Sequence, residues 1–214
     1  MELVHLGHSC VVLDAGDARL LVDPGVFSSG HDTLEGLDAI LVTHQHPDHL
    51  DLEALPGLLA RNPGAELVVD TGTAGVLRER GIAHTVRSPG ERFTVGGVVV
   101  DVLGDGAHEV IHPGIPVIAN NGYLVGDGAT TVLHPGDAFV AAPERPDVLL
   151  LPTAAPWMAI DEAIEYLRAT APPLAVPIHE GVLAHPGVYH QHFTNLAPSG
   201  TEVRVLPQGL SVTP

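Results

Sequence analysis

Cysteine and basic residues are scarce in this chain. Cys10 is the only cysteine among 214 residues, so an intrachain disulfide is excluded. Lys and Arg together number nine against 26 Asp and Glu, which gives a formal net charge of −17. Phosphate-backbone binding needs clusters of basic side chains, so nucleic acid is not an expected partner. The acidic balance instead favours solubility and repels polyanions.

Long apolar runs are also missing. The chain opens with Met1-Glu2-Leu3-Val4 and shows neither a basic leader segment nor a stretch of apolar residues long enough to cross a bilayer. No signal peptide and no transmembrane span are predicted. The cytoplasm is therefore the expected location, and no membrane partner is expected.

The remaining composition fits one globular domain spanning 1–214, with 45% hydrophobic residues and many Gly and Pro turns. Apolar residues at helical spacing predict helices near 52–59, 72–80 and 159–169, the first short or kinked at Pro56. Short apolar runs predict strands at 2–6, 10–14, 18–23, 39–42, 66–70, 83–86, 93–95, 97–103, 116–125, 130–133, 147–151, 174–178, 202–206 and 210–212. Composition and pattern alone thus indicate a mixture of α and β structure.

The stretch 40–50 organises the rest of the chain. A predicted buried strand ends at Thr43, and four metal-ligand types follow within six residues: His44, His46, Asp48 and His49. Imidazole nitrogen and carboxylate oxygen suit divalent first-row metals. A polar loop in a chain with 14 histidines is the alternative. The dense H-x-H-x-D-H order after a strand favours a metal site.

Further candidate ligands follow other predicted strands. His108 comes after 97–103, with His112 as its rival, and His179 comes directly after 174–178. Asp137 follows 130–133, where a helix N-cap is the alternative role. These residues therefore all follow the ends of predicted strands.

The segment Thr-His-Gln-His-Pro-Asp-His at 43–49 resembles the signature of the metallo-β-lactamase superfamily, in its simple branch of metal-dependent hydrolases similar to ascorbate-6-phosphate lactonase. The resemblance implies an α+β fold, an αββα sandwich, and two divalent metal ions, with zinc as the default and manganese or iron as alternatives. It selects His108 over His112. It implies one ion on His44, His46 and His108, a second on Asp48, His49 and His179, and Asp137 bridging both.

The resemblance also assigns supporting roles. Residues 44–49 form the histidine loop. Asp23, at a strand end, is expected to support this loop by hydrogen bonding without binding metal. Asp48, His134 and His8 are the catalytic candidates, the two histidines as pocket residues or proton donors. One departure is Ala138, which stands where the family carries a hydroxyl residue.

The remaining side chains of interest have less specific expectations. His31, His190 and His192 are expected at the surface. Trp157 is expected either in the core or at the pocket.

Several branches of the superfamily are disfavoured by the residues themselves. No cysteine lies near 104–140, whereas many true β-lactamases use a cysteine as a metal ligand. His46 stands where flavodiiron oxidoreductases carry Glu, which disfavours diiron redox chemistry. No pattern in residues 1–214 predicts a basic C-terminal helical domain or a basic RNA-binding arm. The expected function is hydrolysis of a small-molecule lactone, phosphodiester or other ester by a hydroxide held between two metals. A non-catalytic metal-binding protein and an RNA-processing nuclease are the alternatives, and no pattern indicates an oligomeric state.

Overall fold

The computed structural model describes all 214 residues and contains two seven-stranded sheets packed face to face with helices outside. The predicted αββα sandwich is confirmed. The helices are α1 (Leu55–Arg61), α2 (Thr71–Glu79), α3 (Ile160–Thr170) and α4 (Gly187–Leu196). The strands are β1 (Glu2–Gly7), β2 (Cys10–Ala15), β3 (Ala18–Val22), β4 (Ala39–Val42), β5 (Glu66–Val69), β6 (Thr85–Val86), β7 (Arg92–Val95), β8 (Val98–Leu103), β9 (Gly122–Gly126), β10 (Thr131–His134), β11 (Val148–Pro152), β12 (Leu174–Ile178), β13 (Glu202–Val203) and β14 (Ser211–Val212).

The two sheets have matching organisation. The first runs β14-β1-β2-β3-β4-β5-β6 and the second runs β13-β12-β11-β10-β9-β8-β7. Strands β3 to β6 are parallel to one another, and so are strands β10 to β13. Parallel strands bring their carboxyl ends to one edge of a sheet, where α/β proteins commonly bind ligands.

Three apolar layers hold this architecture. A cluster of 24 buried residues fills the space between the sheets. Clusters of 14 and 10 buried residues join the outer faces of the two sheets to α1 with α2 and to α3 with α4, respectively. Strands β4, β11 and β12 are therefore buried along their whole length, as strands covered on both faces are expected to be. No helix has both the length and the apolar character needed to cross a bilayer.

Of the single strand predicted for the apolar run 116–125, only the end forms, as β9 (Gly122–Gly126). The backbone N–H of Asn121 donates to the carbonyl of Thr43 on the opposite sheet, at 2.9 Å, and that of Asn120 donates to Gly106 at 3.2 Å. These bonds draw the segment away from a regular ladder and toward the histidine loop. Apolar character alone does not distinguish such a crossing segment from a strand.

The surface position predicted for His31 is wrong, and the short form of the first helix, one of its two predicted alternatives, is confirmed. His31 was expected at the surface but is buried, with its Nδ1 2.9 Å from the Ser28 hydroxyl. Helix α1 begins at Leu55, which leaves Leu52 in the preceding turn. Pro56 lies in the first helical turn, where its missing N–H costs nothing, so it starts a short helix instead of kinking a longer one.

Candidate metal centre

The seven predicted ligands converge at the carboxyl edges of both sheets. Each comes from the loop that follows a strand: β4, β8, β10 or β12. Their ligand atoms fall into two groups, and within each group these atoms lie within 4.8 Å of one another. The first group is His44, His46, His108 and Asp137, and the second is His8, Asp48, His49 and His179.

Asp137 lies between the two groups. Its Oδ1 is 3.1 Å from His49 Nε2 and 3.2 Å from His179 Nε2. Its Oδ2 is 3.3 Å from His108 Nε2. One carboxylate therefore presents one oxygen to each group. The preceding Gly136 permits this placement, because it has φ 63° and a Cβ there would lie 2.2 Å from the Asn120 Oδ1.

The tautomers of His108 and His179 are set by backbone carbonyls. Nδ1–H of His108 donates to the carbonyl of Glu109 at 2.5 Å, and Nδ1–H of His179 donates to that of Ala154 at 2.6 Å. A neutral ring that donates through Nδ1 keeps the lone pair on Nε2. Both lone pairs therefore face Asp137 and the centre, as they do in histidines that bind a metal.

In the histidine loop, Asp23 and Thr43 set the tautomers of His49 and His44. Nδ1–H of His49 donates to Asp23 Oδ2 at 2.6 Å, and the Thr43 hydroxyl donates to the same oxygen at 2.7 Å. Because its proton is committed, the hydroxyl accepts from Nδ1 of His44 at 3.0 Å. The remaining nitrogen of His44, Nε2, lies 3.1 Å from Nδ1 of His46. Asp23 thus buttresses the loop from behind, as the resemblance implied.

Unpartnered polar atoms test whether these residues suit a metal. Nε2 of His49, His108 and His179, together with Oδ1 of Asp137, are buried and make no hydrogen bond. Buried polar groups without a partner cost free energy, so they are rare unless something else binds them. All four atoms point into the same small volume. Imidazole nitrogen with carboxylate oxygen is a donor set suited to zinc, manganese or iron, so the residues fit divalent metal ions.

Electrostatics agree with a cation site. Burial would raise the pKa of Asp137, but His49 and His179 hold it well below its ordinary value. Burial would likewise raise the pKa of Asp48, yet the hydrogen bond with His8 and the nearby imidazole of His49 lower it to about 2. Both carboxylates are therefore ionised at neutral pH and offer negative charge in a largely buried site.

Sequence comparison agrees with this geometry. The family model described as the Beta-lactamase superfamily domain matches residues 2–179, which is most of the chain. The chain belongs to the metallo-β-lactamase superfamily. The predicted resemblance is thereby confirmed.

Individual relatives align with most or all of the chain. "Protein Rv0786c" of Mycobacterium tuberculosis is 48% identical over 217 residues and covers 100% of both chains. The "UPF0173 metal-dependent hydrolase Ta0764" of Thermoplasma acidophilum is 28% identical, covering 84% of this chain and 83% of that one. Among solved structures, Igni18, a metallo hydrolase from Ignicoccus hospitalis, superposes with a TM-score of 0.75 at 23% identity, over 99% and 97% of the two chains. This last likeness is one of fold.

His8 differs from His49, His108 and His179 in the position of its ring proton. The backbone N–H of Gly181 donates to its Nδ1 at 3.1 Å, so the ring proton resides on Nε2 and is directed to Asp48 Oδ2, also at 3.1 Å. Its φ of 52° is held in place by hydrogen bonds from His5 and the His179 backbone to its carbonyl. With its proton facing the centre, His8 is suited to orient Asp48 and not to bind a metal.

The hydrogen bonds of His134 argue against its expected role as a proton donor. Its Nε2–H donates to the carbonyl of Ser9 at 2.8 Å, and its Nδ1 accepts from the N–H of Gly136 at 3.2 Å. The ring is 1% exposed. Both nitrogens are thus occupied by the backbone, and the ring ties the Asp137 loop to the turn after β1. We assign it this structural role instead.

The structure also separates the rival histidines. His108 is buried within the centre, whereas His112 is exposed and accepts a hydrogen bond from the N–H of Gly114. His190 and His192 lie on α4 outside both ligand groups, the first half-buried and the second exposed.

Two contributors to the centre carried little signal in the sequence. The indole N–H of Trp157 donates to Asp137 Oδ2 at 2.8 Å. The side chain of Asn120 accepts from the Asp137 backbone N–H at 3.0 Å and donates to the carbonyl of Pro135 at 3.0 Å. Two adjacent asparagines interrupting an apolar run were the only hint of the second contact. Trp157 had no hint beyond its position after a strand.

The Trp157 hydrogen bond gives a direct prediction. Replacing Trp157 with Phe removes the donor that fixes the rotation of the Asp137 carboxylate, while an aromatic ring remains. Affinity for a divalent metal ion is expected to fall about 10–100-fold, the range for lost partners of metal ligands. Competition with a chromogenic chelator measures this fall. Phe139→Leu is the matched control, because the Phe139 ring packs against the indole with centroids 5.0 Å apart, whereas the indole N–H donates to Asp137. Equal affinity losses in the two variants would mean that packing alone matters.

Proposed function

We propose that this protein is a metal-dependent hydrolase with two divalent metal ions, zinc by default, acting on a small-molecule ester, lactone or phosphodiester. The observation that carries the proposal is the Asp137 carboxylate, which turns one oxygen to each of two imidazole groups at 3.1–3.3 Å. The names of relatives such as the metal-dependent hydrolase of Thermoplasma acidophilum support the same class of reaction.

Each ligand has a proposed place. His44, His46 and His108 would hold one ion, Asp48, His49 and His179 would hold the other, and Asp137 would bridge them. A pair of such ions supplies a water of lowered pKa and stabilises the charge that develops on an attacked oxygen.

The residues around the ligands have distinct duties. Asp23 fixes the His49 ring and, through Thr43, the His44 ring, so that both Nε2 lone pairs face inward. His8 orients Asp48, and Trp157 orients Asp137. Preorganisation of this kind is needed, because a displacement of about 1 Å in a catalytic group can cost on the order of 100-fold in rate.

Metal content and turnover test the proposal together. Protein stripped with a chelator and reconstituted with zinc, manganese or iron is expected to bind two ions per chain. It should hydrolyse members of a panel containing p-nitrophenyl esters, lactones and bis-p-nitrophenyl phosphate, and chelation should abolish the activity. A correctly folded protein that takes up two ions yet hydrolyses nothing on the panel would refute the enzymatic proposal and favour a metal-binding protein without turnover.

A further inference from the structure

Exposed apolar side chains are concentrated around the centre. Eleven large hydrophobic residues are exposed in the whole chain. Six of them lie on three segments that border the ligand loops: Val26, Phe27, Val110, Ile115, Val117 and Val182. Exposed single apolar residues are ordinary, but their grouping around one site marks a binding surface.

The first of these segments is attached directly to the centre. The Phe27 ring meets the His8 ring edge to face, with centroids 5.2 Å apart. The backbone N–H of Val26 donates to the carbonyl of Pro47, inside the histidine loop, at 2.9 Å. Val182 follows Gly181, whose N–H holds the His8 ring. These three apolar side chains therefore flank the His8 side of the site.

The second wall is the loop between β8 and β9. Ile115 and Val117 line a crevice together with His46 and His108. Val110 and Val117 line an adjoining cleft of about 600 Å³ that also includes His108. Ala138, where the family carries a hydroxyl residue, lines this cleft as well. The wall beside the first ligand group is thus mainly aliphatic.

Positive charge is missing from the same walls. The chain has no lysine, and none of its nine arginines lines the crevice or the cleft. Six arginines are paired with carboxylates elsewhere: Arg19, Arg80, Arg87, Arg92, Arg168 and Arg204. The charged residues that line the cleft are Asp105 and Glu109, both acidic. A phosphate or carboxylate on the body of a substrate would meet no cation there and would be repelled.

We propose that the substrate is an uncharged carboxylic ester or lactone with an apolar body, and not a phosphorylated or carboxylated compound. This inference rests on the proposed hydrolase function. Hydrolysis consumes one water, forms a bond between the acyl carbon and the water oxygen, and breaks the bond between the acyl carbon and the ester oxygen. An ester then yields an alcohol and a carboxylate, a lactone yields one hydroxycarboxylate, and one proton is released in either case. The ions would stabilise negative charge on the oxygen of the reacting carbonyl. The aliphatic walls would pack against the rest of the substrate.

Matched ester substrates test the inference on the zinc-loaded protein. A series of p-nitrophenyl esters from acetate to hexanoate should rise in kcat/KM by about fourfold per methylene, which is the ~0.8 kcal/mol of each buried methylene expressed as a ratio. The valerate should be cleaved at least about tenfold better than the hemiglutarate, which has the same number of acyl carbons but ends in a carboxylate. A flat series, or equal rates on that pair, would overturn the inference while leaving the hydrolase function intact.

A cation placed in the wall should reverse the preference. Val117→Arg is expected to raise kcat/KM for the hemiglutarate and lower it for the valerate. Val205→Arg, at an exposed position beyond β13 and outside both clefts, should leave their ratio unchanged. If Val117→Arg folds, binds zinc and keeps the original ratio, the walls do not select the substrate and the inference fails.

A binding measurement keeps the inference separate from turnover. Trp157 is the only tryptophan and contacts Asp137, so its fluorescence reports ligands that reach the centre. Octanohydroxamate should bind the zinc-loaded protein at least about tenfold more tightly than suberic monohydroxamate, its carboxylated counterpart. Absence of hydrolysis on the whole panel, bis-p-nitrophenyl phosphate included, would refute the proposed function. Cleavage of the phosphodiester alone, or equal binding of the two hydroxamates, would overturn the apolar ester site and leave the hydrolase function intact.

Discussion

Replacing Asp137 with asparagine is expected to reduce hydrolysis by about 10²–10³-fold or more, the cost of losing a group that stabilises transition-state charge. The amide keeps the volume and can still accept the hydrogen bond from Trp157 through its oxygen. It cannot present an anionic oxygen to both imidazole groups. Because the carboxylate is the only charged group facing His49, His179 and His108 together, zinc content should fall from two ions to one or none.

The control for this variant is Asp161→Asn, which removes the same charge from an exposed site in the first turn of α3. Zinc content by elemental analysis and kcat/KM on a cleaved ester should both match wild type in the control. Thermal unfolding in the presence of a chelator establishes that the Asp137 variant still folds. Two tightly held zinc ions and wild-type turnover in folded Asp137→Asn would contradict the bridging role.

Replacing Gly25 with alanine is expected to dismantle the second ligand group, although Gly25 binds nothing itself. A Cβ at this position would lie 1.8 Å from the carbonyl oxygen of Asp48 and 2.6 Å from the backbone nitrogen of His49. Both atoms are main chain, so the loop as a whole must move. Overpacking of this kind costs about 1–3 kcal/mol of stability. Ligands displaced by about 1 Å should lower activity on the order of 100-fold.

Gly57→Ala is the matched control, because Gly57 lies in α1 with no atom within 4 Å of its added Cβ. An exposed helical glycine replaced by alanine should stabilise the protein by about 0.5–1 kcal/mol. Urea denaturation measures both changes, and zinc titration measures the loss of the site. If Gly25→Ala retains full zinc affinity and activity, the contact between the loop after β3 and the histidine loop is not what positions Asp48.

The centre depends on contacts between residues far apart in the chain. His8 is held by Gly181 and Glu180, which are more than 170 positions away. Tyr123 of β9 donates to the carbonyl of Val42 at the end of β4 and so ties the second sheet to the start of the histidine loop. The two ligand groups therefore form only when both sheets pack against each other. Substitutions at Tyr123 or Glu180 should weaken metal binding more than they reduce secondary structure.

Most of the fold was predictable from local pattern. Runs such as 39–42 and 174–178 are apolar throughout because both of their faces are covered, and the histidines that follow them mark strand ends. Ligand types at these ends, together with the 43–49 signature, identified the superfamily and the residues proposed as ligands. The failures occurred where periodicity carries no information, as in 116–121, where Asn120 donates to Gly106 and Asn121 donates to Thr43 in the loop after β4.

By itself, the sequence determined the order of strands and helices, the superfamily, and which side chains have metal-binding chemistry. Only the tertiary structure decided which nitrogen of each histidine faces the centre, because that depends on distant partners. The carbonyl of Ser9 accepts the Nε2 proton of His134, which lies 125 positions away in the chain. The backbone N–H of Gly181 donates to Nδ1 of His8 and so places the ring proton of His8 on Nε2. The tertiary structure likewise brings the apolar segments 26–27, 110–117 and 182 together around the centre, with no arginine lining the crevice or the cleft. Hydrophobic periodicity records burial along one element, whereas the direction of a loop side chain is set by what the packed sheets bring beside it.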